Sequence, residues 1–218
     1  MSLSVYQRIW QEFRGMGRIA KAPRKEGVGI TLVVSFQDRV VIERILEIQK
    51  LISKTVPFDA IPPDALHITV RNIQSLEDDP KKVSPEKLSA VVNALRTTMK
   101  RWPPFQAVLK HVNSFLVNPF IEVHDAGKLT DIRNAINPEL DRLGLVDADY
   151  HPHGYICHLT LGYYETIQSS SSLLQLFEKL RPREFGKIEV RNLKLVRTLW
   201  ASGLYHMELM EEIRLGKE

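Results

Sequence analysis

The sequence predicts an α+β protein, on three observations. Segments with the apolar period of strands and segments with the period of helices are interleaved along the whole chain. No shift in composition marks an internal boundary, so residues 1–218 are expected to form a single domain. The chain is long enough to bury most of the surface that it exposes when unfolded, so the fold needs no disulfide or structural metal.

The first half of the chain is predicted to alternate helices and strands. A capped amphipathic helix of roughly residues 4–15 is expected to be an appendage to the domain. The β-branched segment Gly29–Phe36 predicts a buried strand, and Asp38 then caps a second helix. After a Pro-rich turn, Ala65–Ile73 alternates between apolar and polar residues as a half-buried strand does. Ser84 begins a third helix, with proline at its first position.

The second half is predicted to be richer in strands. Strand segments and two helices are expected, since alternating runs are separated by Pro, Asn, Gly and Ser. In chain order they are two antiparallel strands within Phe105–His124, a helix at Lys128–Leu143, a strand at Tyr155–Tyr164, a short helix after Ser169–Ser172, and strands at Phe185–Trp200 and Leu204–Arg214.

Composition and charge narrow the class of protein. Thirty Lys and Arg residues against 26 Asp and Glu give a net charge of +4, which is compatible with anionic ligands. The sequence lacks the dense Lys/Arg runs of dedicated nucleic-acid binders. The longest apolar run, Gly27–Phe36, is too short to cross a bilayer as a helix. No secretory signal is apparent, and a lone Cys157 makes no internal disulfide. We expect a cytoplasmic protein that does not bind membranes.

Two predicted strands carry the same four-residue motif, a histidine and a threonine that are each followed by an apolar residue. The segments are His67-Ile68-Thr69-Val70 and His158-Leu159-Thr160-Leu161, one in each half of the chain. Because side chains alternate along a strand, the histidine and threonine of each copy share one face and the apolar residues take the other. If the two strands lie together, two imidazoles and two hydroxyls converge. The alternative is that these are structural strand histidines, with threonines favoured by β-propensity.

The two His-x-Thr-x motifs resemble the signature motifs of the two-histidine phosphoesterase superfamily. That family includes RNA 2′,3′-cyclic phosphodiesterases, 2′-5′ RNA ligases and nucleotide-binding relatives. The resemblance implies a two-lobed α+β fold, with pseudo-twofold-symmetric antiparallel sheets flanked by helices and a central cleft. It also implies that His67, Thr69, His158 and Thr160 are catalytic. We expect a monomer that needs no cofactor and acts on RNA ends or nucleotides bearing cyclic or 2′-linked phosphate. One departure is Cys157 before the second motif, where many bacterial members have proline.

The chemistry of these residues suits opening a cyclic phosphodiester. One imidazole would take a proton from water and the other would protonate the departing ribose oxygen, because an imidazole pKa of about 6.5 allows either form near neutral pH. Threonine hydroxyls would donate hydrogen bonds to the non-bridging oxygens. We therefore expect a metal-independent phosphodiesterase, with 2′-5′ RNA ligation as the reverse reaction. The alternative is a non-catalytic nucleotide- or RNA-end-binding module.

Other residues are secondary candidates. Arg71 continues the face of the first motif and Tyr164 that of the second, so both are expected to bind substrate. A metal site at His151, His153 and His158 with Asp147 and Asp149 is a weaker hypothesis, since these are suitable ligand types. Their spacing matches no metal motif, so we predict no metal ligands. Cys157 is expected to be a buried, inert thiol. The remaining histidines are expected to be structural or on the surface: His111, His124 and His206.

Overall fold

A computed structural model describes residues 3–23, 26–74, 83–145, 154–201 and 204–216. Within these residues the helices are α1 (Val5–Met16), α2 (Arg39–Ser53), α3 (Pro85–Met99), α4 (Lys128–Arg142) and α5 (Ser171–Leu180). The strands are β1 (Arg18–Ile19), β2 (Gly27–Ser35), β3 (Phe58–Ala60), β4 (His67–Gln74), β5 (Phe105–Ser114), β6 (Pro119–His124), β7 (His158–Thr160), β8 (Gly162–Tyr164), β9 (Gln168–Ser169), β10 (Glu184–Val190), β11 (Asn192–Ala201) and β12 (Leu204–Arg214).

The helix starts follow the capping residues predicted from the sequence. Asp38 accepts a hydrogen bond from the backbone N–H of Val41 at 3.0 Å and caps α2. Ser84 does the same for the backbone N–H of Lys87 at 3.3 Å and caps α3. Both side chains satisfy donors that the first helical turn leaves without a partner, so these two predicted N-caps are confirmed.

Eight strands form one antiparallel sheet in the order β10-β5-β6-β7-β4-β2-β11-β12. The two motif strands, β4 and β7, meet at its centre. In the half of the sheet that contains β4, the chain runs from strand β2 through helix α2 to strand β4. In the half that contains β7, it runs in the same way from β6 through α4 to β7. The predicted α+β class and pseudo-twofold arrangement are confirmed, with the correction that the two lobes are halves of one sheet.

The single strand predicted over Tyr155–Tyr164 is wrong. The chain leaves the large sheet after Thr160, and β8 pairs instead with β3. Gly162 explains the departure, because a Cβ atom there would lie 2.3 Å from the carbonyl oxygen of Asp59. Only glycine permits so close an approach of the β3 backbone.

The segment predicted as one strand over Phe185–Trp200 forms β10 and β11, separated by Arg191 alone. These strands stand first and seventh in the sheet order. One residue spans only about 7 Å between its neighbours' Cα atoms, so the two outer parts of the sheet must curl toward each other. The continuous segment therefore joins the two halves at their outer sides.

The apolar faces of strands from both halves share one buried cluster with helices α2 to α5. Helix α1 buries Ile9 and Phe13, which are 2% and 0% exposed. A second, smaller cluster joins Ile9 to Phe120 and Ile156. Among the described residues, no helix combines the length and apolar character needed to cross a membrane.

Candidate active site

The centre of the sheet is held by a buried row of apolar side chains. Ile68 of β4 is registered opposite Leu159 of β7, and the row continues to Val34 of β2 and Ile121 of β6. All four are at most 1% exposed. Because a slip of one residue would turn every one of these side chains away from the core, their burial specifies the register.

The opposite face of the central strand pair carries the four motif side chains. His67, Thr69, His158 and Thr160 are all half-buried, whereas the residue between each pair is fully buried. The antiparallel register places His67 opposite Thr160 and Thr69 opposite His158. The two histidines are therefore diagonal neighbours, and so are the two threonines. Such diagonal positions on neighbouring strands are about 7–8 Å apart. The structure brings the four predicted catalytic residues together.

The two histidine rings are oriented by matching hydrogen bonds. Nδ1 of His67 lies 2.8 Å from the carbonyl oxygen of Ala65, and Nδ1 of His158 lies 2.7 Å from that of Ile156. A carbonyl only accepts, so each Nδ1 carries a proton and donates it. In a neutral ring this leaves Nε2 as the basic nitrogen. Each acceptor lies two residues before its histidine, so the motif's own backbone sets the tautomer.

The surroundings of the two rings differ. Burial lowers the pKa of His67 below 6.5, and the hydrogen bond to Ala65 offsets part of this shift. The ring of His158 lies against the rings of Phe115 and Phe120, with centroids 5.3 Å away in each case. These aromatic contacts restrict the ring of His158 to one side of its strand.

Arg71 is not on the face that carries the four motif side chains. In the pairing of β2 with β4, Val33 faces Thr69 and Leu32 faces Arg71, so Val70 is an extra residue and the strand bulges. The bulge reverses the alternation, and Arg71 is 0% exposed. Its guanidinium donates a hydrogen bond of 2.7 Å to the carbonyl oxygen of Leu145. The structure therefore places the Arg71 guanidinium in the interior, and this position does not support the predicted contact with substrate.

Tyr164 is also placed away from the motif residues. It lies in β8, outside the large sheet, and is 1% exposed. Its hydroxyl lies 2.8 Å from the hydroxyl of Ser114, and burial raises the pKa of Tyr164 well above its ordinary value. A side chain enclosed in this way has no surface with which to bind substrate. The expectation that Tyr164 binds substrate is not supported by its position.

The other predicted residues have mixed outcomes. Cys157 is buried, and burial raises the pKa of its thiol far above the range in which a thiolate forms, as expected of an inert cysteine. His206 is exposed on β12. Of the hypothetical metal cluster, His158 lies in β7, and four residues lie outside the described ones: Asp147, Asp149, His151 and His153.

Sequence reasoning missed a polar cluster beside the second motif. Glu122 of β6 is registered next to His158, is 1% exposed, and accepts hydrogen bonds from Asn113 at 2.9 Å and Arg181 at 3.1 Å. Arg181 also lies over the ring of Trp10, 4.4 Å from its centroid. The only available signal was the alternation of Glu122 with apolar neighbours on a strand.

A sheet with paired His-x-Thr strands at its centre, each imidazole oriented through Nδ1, agrees with the class that the two motifs predict, the two-histidine phosphoesterases. A family model described as the 2′-5′ RNA ligase superfamily matches residues 33–199. This range includes both motifs and most of the large sheet. The chain therefore belongs to the 2′-5′ RNA ligase superfamily, the two-histidine phosphoesterases.

Two curated relatives are each named RNA 2′,3′-cyclic phosphodiesterase. The one from Methanocaldococcus jannaschii is 26% identical over 142 residues, covering 63% of this chain and 73% of the relative. The one from Archaeoglobus fulgidus is 26% identical over 164 residues, covering 72% of this chain and 84% of the relative. Both alignments extend over most of each protein.

Solved structures show the same fold at low sequence identity. TT0787 of Thermus thermophilus superposes with a TM-score of 0.68 and 16% identity, covering 87% of this chain and 99% of that one. Escherichia coli LigT complexed with NADP+ gives a TM-score of 0.65 and 16% identity, covering 90% and 100%. LigT has also been solved with 3′-AMP, and that structure gives a TM-score of 0.65 at 16% identity, covering 89% and 99%.

Proposed function

We propose that this protein is a metal-independent phosphodiesterase that opens 2′,3′-cyclic phosphates, or cleaves 2′,5′-linked phosphodiesters, of RNA ends or nucleotides. The observation that carries the proposal is the diagonal placement of His67 and His158 on one face of the central strands. Each ring has its Nδ1 proton engaged by a backbone carbonyl, so the basic position of both neutral rings is Nε2. Diagonal positions on neighbouring strands are about 7–8 Å apart, so two rings that project from them can hold opposite sides of one phosphate.

The reaction follows from the protonation states of the two rings. The neutral imidazole accepts a proton from water at Nε2 as the water oxygen bonds to phosphorus. The protonated imidazole donates its Nε2 proton to the departing ribose oxygen as the P–O bond breaks, which leaves a phosphomonoester and a free hydroxyl. Thr69 and Thr160 donate hydrogen bonds to the non-bridging oxygens, where charge concentrates. If the 5′-hydroxyl of another RNA end attacks the cyclic phosphate in place of water, its proton passes to the neutral imidazole and the protonated imidazole donates to the departing 3′-oxygen. The product is then a 2′-5′ phosphodiester and a free 3′-hydroxyl, which is RNA ligation.

The comparisons support the substrate class. Two relatives are named for RNA 2′,3′-cyclic phosphodiesterase activity, and a protein of the same fold has been solved with NADP+ and with 3′-AMP. The excess of basic residues is compatible with a phosphate-bearing substrate. Because both motifs lie in one chain, we propose that the whole two-lobed domain of one monomer is sufficient for activity.

The test is product analysis on RNA ending in a 2′,3′-cyclic phosphate. His67→Ala and His158→Ala are each expected to lower turnover by about 10²- to 10⁴-fold, because each removes one proton-transfer group. His206→Ala, at an exposed histidine of β12, is the matched control and should keep full turnover. Melting temperatures close to that of the wild type would show that the variants fold.

Three outcomes would contradict the proposal. Full activity in either motif variant would remove that histidine from the mechanism, and loss of wild-type activity in EDTA would make the reaction metal-dependent. If a 2′,3′-cyclic nucleotide raised the melting temperature of the wild type but no monoester formed, the protein would be a nucleotide-binding module instead.

A further inference from the structure

Three side chains of strands β5 and β6 converge beside the proposed active site. One nitrogen each from His111 and His124 and one carboxylate oxygen of Glu122 all lie within 4.8 Å of one another. The distance from Nε2 of His124 to Oε2 of Glu122 is 3.3 Å. Ligand atoms about 2.0–2.1 Å from a tetrahedral zinc ion are separated by about 3.3 Å, so one pair already has the required spacing. The sequence placed neither histidine in a site.

The backbone directs His111 into this cluster. In the pairing of β5 with β6, Lys110 faces Glu122 and Val112 faces Ile121, so His111 is the extra residue of a bulge. Its φ angle is +62°, which is uncommon for a residue other than glycine. Bulges re-aim side chains, and a strained conformation requires compensation from its surroundings. Here the bulged residue belongs to the same cluster as two alternate residues of the neighbouring strand.

The cluster has the outer hydrogen bonds that metal ligands commonly have. Nδ1 of His111 donates to the carbonyl oxygen of Arg181, which leaves Nε2 of that ring as the basic nitrogen. Oε1 of Glu122 accepts from Asn113 at 2.9 Å and from the Arg181 guanidinium at 3.1 Å. This arrangement reserves Oε2 for the side of the two histidines. Such outer partners orient metal ligands and set their tautomers.

Two imidazoles and one carboxylate select among cations by chemistry. Calcium and magnesium take mainly oxygen ligands, so this set is a poor match for them. Nitrogen ligands with a single carboxylate suit zinc and its first-row neighbours. The nearby charge of Arg181 opposes any cation, which further disfavours weakly bound ions.

We propose that His111, Glu122 and His124 form a three-ligand site for a first-row transition metal such as Zn²⁺, with the fourth position open to water. His124 is 34% exposed at its side chain, so an ion can enter from solvent. The metal site is separate from His67 and His158, and the proposed reaction uses neither the imidazole of His111 nor that of His124. Its ligand Glu122 is nevertheless the register neighbour of His158.

The experiment is Zn²⁺ titration by calorimetry, with Co²⁺ absorption spectroscopy to report coordination. The wild type is expected to bind one Zn²⁺ per chain saturably, and Co²⁺ should show the bands of a low-coordinate site. His111→Gly, which suits the positive φ angle, and His124→Ala should each weaken binding at least about tenfold. His206→Ala should bind as the wild type does.

The outcomes that overturn the site are equally specific. They are the absence of saturable Zn²⁺ binding by the wild type, unchanged affinity in both cluster variants, or loss of binding in His153→Ala instead. Phosphodiesterase turnover without added metal should be the same in His111→Gly as in the wild type. Failure of the metal site and failure of the proposed function are thus read from different measurements.

Discussion

Exchanging the two polar residues of the second motif tests whether the diagonal placement of the histidines matters. The double variant His158→Thr/Thr160→His keeps composition, strand propensity and the buried Leu159, because both positions lie on the same face of β7. It moves one imidazole two residues along the strand, by about 6.6–6.8 Å. The moved ring then stands directly opposite His67 instead of diagonal to it.

The expected loss follows from the change in spacing. Directly opposite side chains have Cβ atoms about 4.5–5.5 Å apart, against about 7–8 Å on the diagonal. Two imidazoles that close cannot reach opposite sides of one phosphate, and the proximity of the two rings disfavours protonating both. Misplacement by about 1 Å can cost about 10²-fold, so we expect the exchange to lower turnover as much as His158→Ala does, by about 10²- to 10⁴-fold.

The assay is steady-state hydrolysis of a 2′,3′-cyclic nucleotide by the exchange variant, His158→Ala and Thr160→Val. Thr160→Val is the control for losing the hydroxyl alone and should cost less than the exchange. Melting temperatures establish that each variant is folded. If the exchange variant kept more than a tenth of wild-type turnover, the diagonal geometry would not be what the reaction requires.

Three further predictions concern residues around the motif. Arg71→Ala should lower the free energy of unfolding by about 2–4 kcal/mol, because it removes a buried side chain and its hydrogen bond to Leu145. The KM for cyclic nucleotides should not change. Urea unfolding measures the first quantity and steady-state kinetics the second. Tyr164→Phe removes only the contact with Ser114, so it should cost about 0.5–1.5 kcal/mol by the same unfolding assay and leave turnover intact. Because burial lowers the pKa of His67, its ring should titrate below 6.5 by NMR. The unfolded chain then binds more protons just below that pH, so the free energy of unfolding should fall as the pH drops through this window, and His67→Asn should reduce the slope.

The motif strands were predictable because their signal is local. Ile68 and Leu159 alternate with polar residues at a period of two, and burial of the apolar set places the histidines on the other face. The same reasoning found the caps Asp38 and Ser84, since each capping oxygen lies three residues before the backbone N–H that it accepts from.

The errors arise where tertiary pairing changes the alternation. Strict alternation from His67 predicts that Arg71 shares the face of the motif side chains, but the extra residue Val70 reverses the alternation. Nothing local marks that bulge, because Val70 is an ordinary strand residue. Likewise, the bulge at His111 depends on pairing between β5 and β6, so its approach to Glu122 has no signature in either segment.

The diagonal placement of the histidines follows from the symmetry of the sheet. A pseudo-twofold axis perpendicular to the central strand pair, passing between Ile68 and Leu159, relates the segment His67–Thr69 of β4 to His158–Thr160 of β7. A residue one position before the axis on one strand therefore maps to one position before it on the other. In an antiparallel pair, two such residues are never directly opposite each other, and always lie on one diagonal of the same face. A strand-helix-strand unit carrying one histidine, repeated about this axis, thus places two imidazoles on one diagonal of the same face, which is the arrangement that the proposed reaction requires.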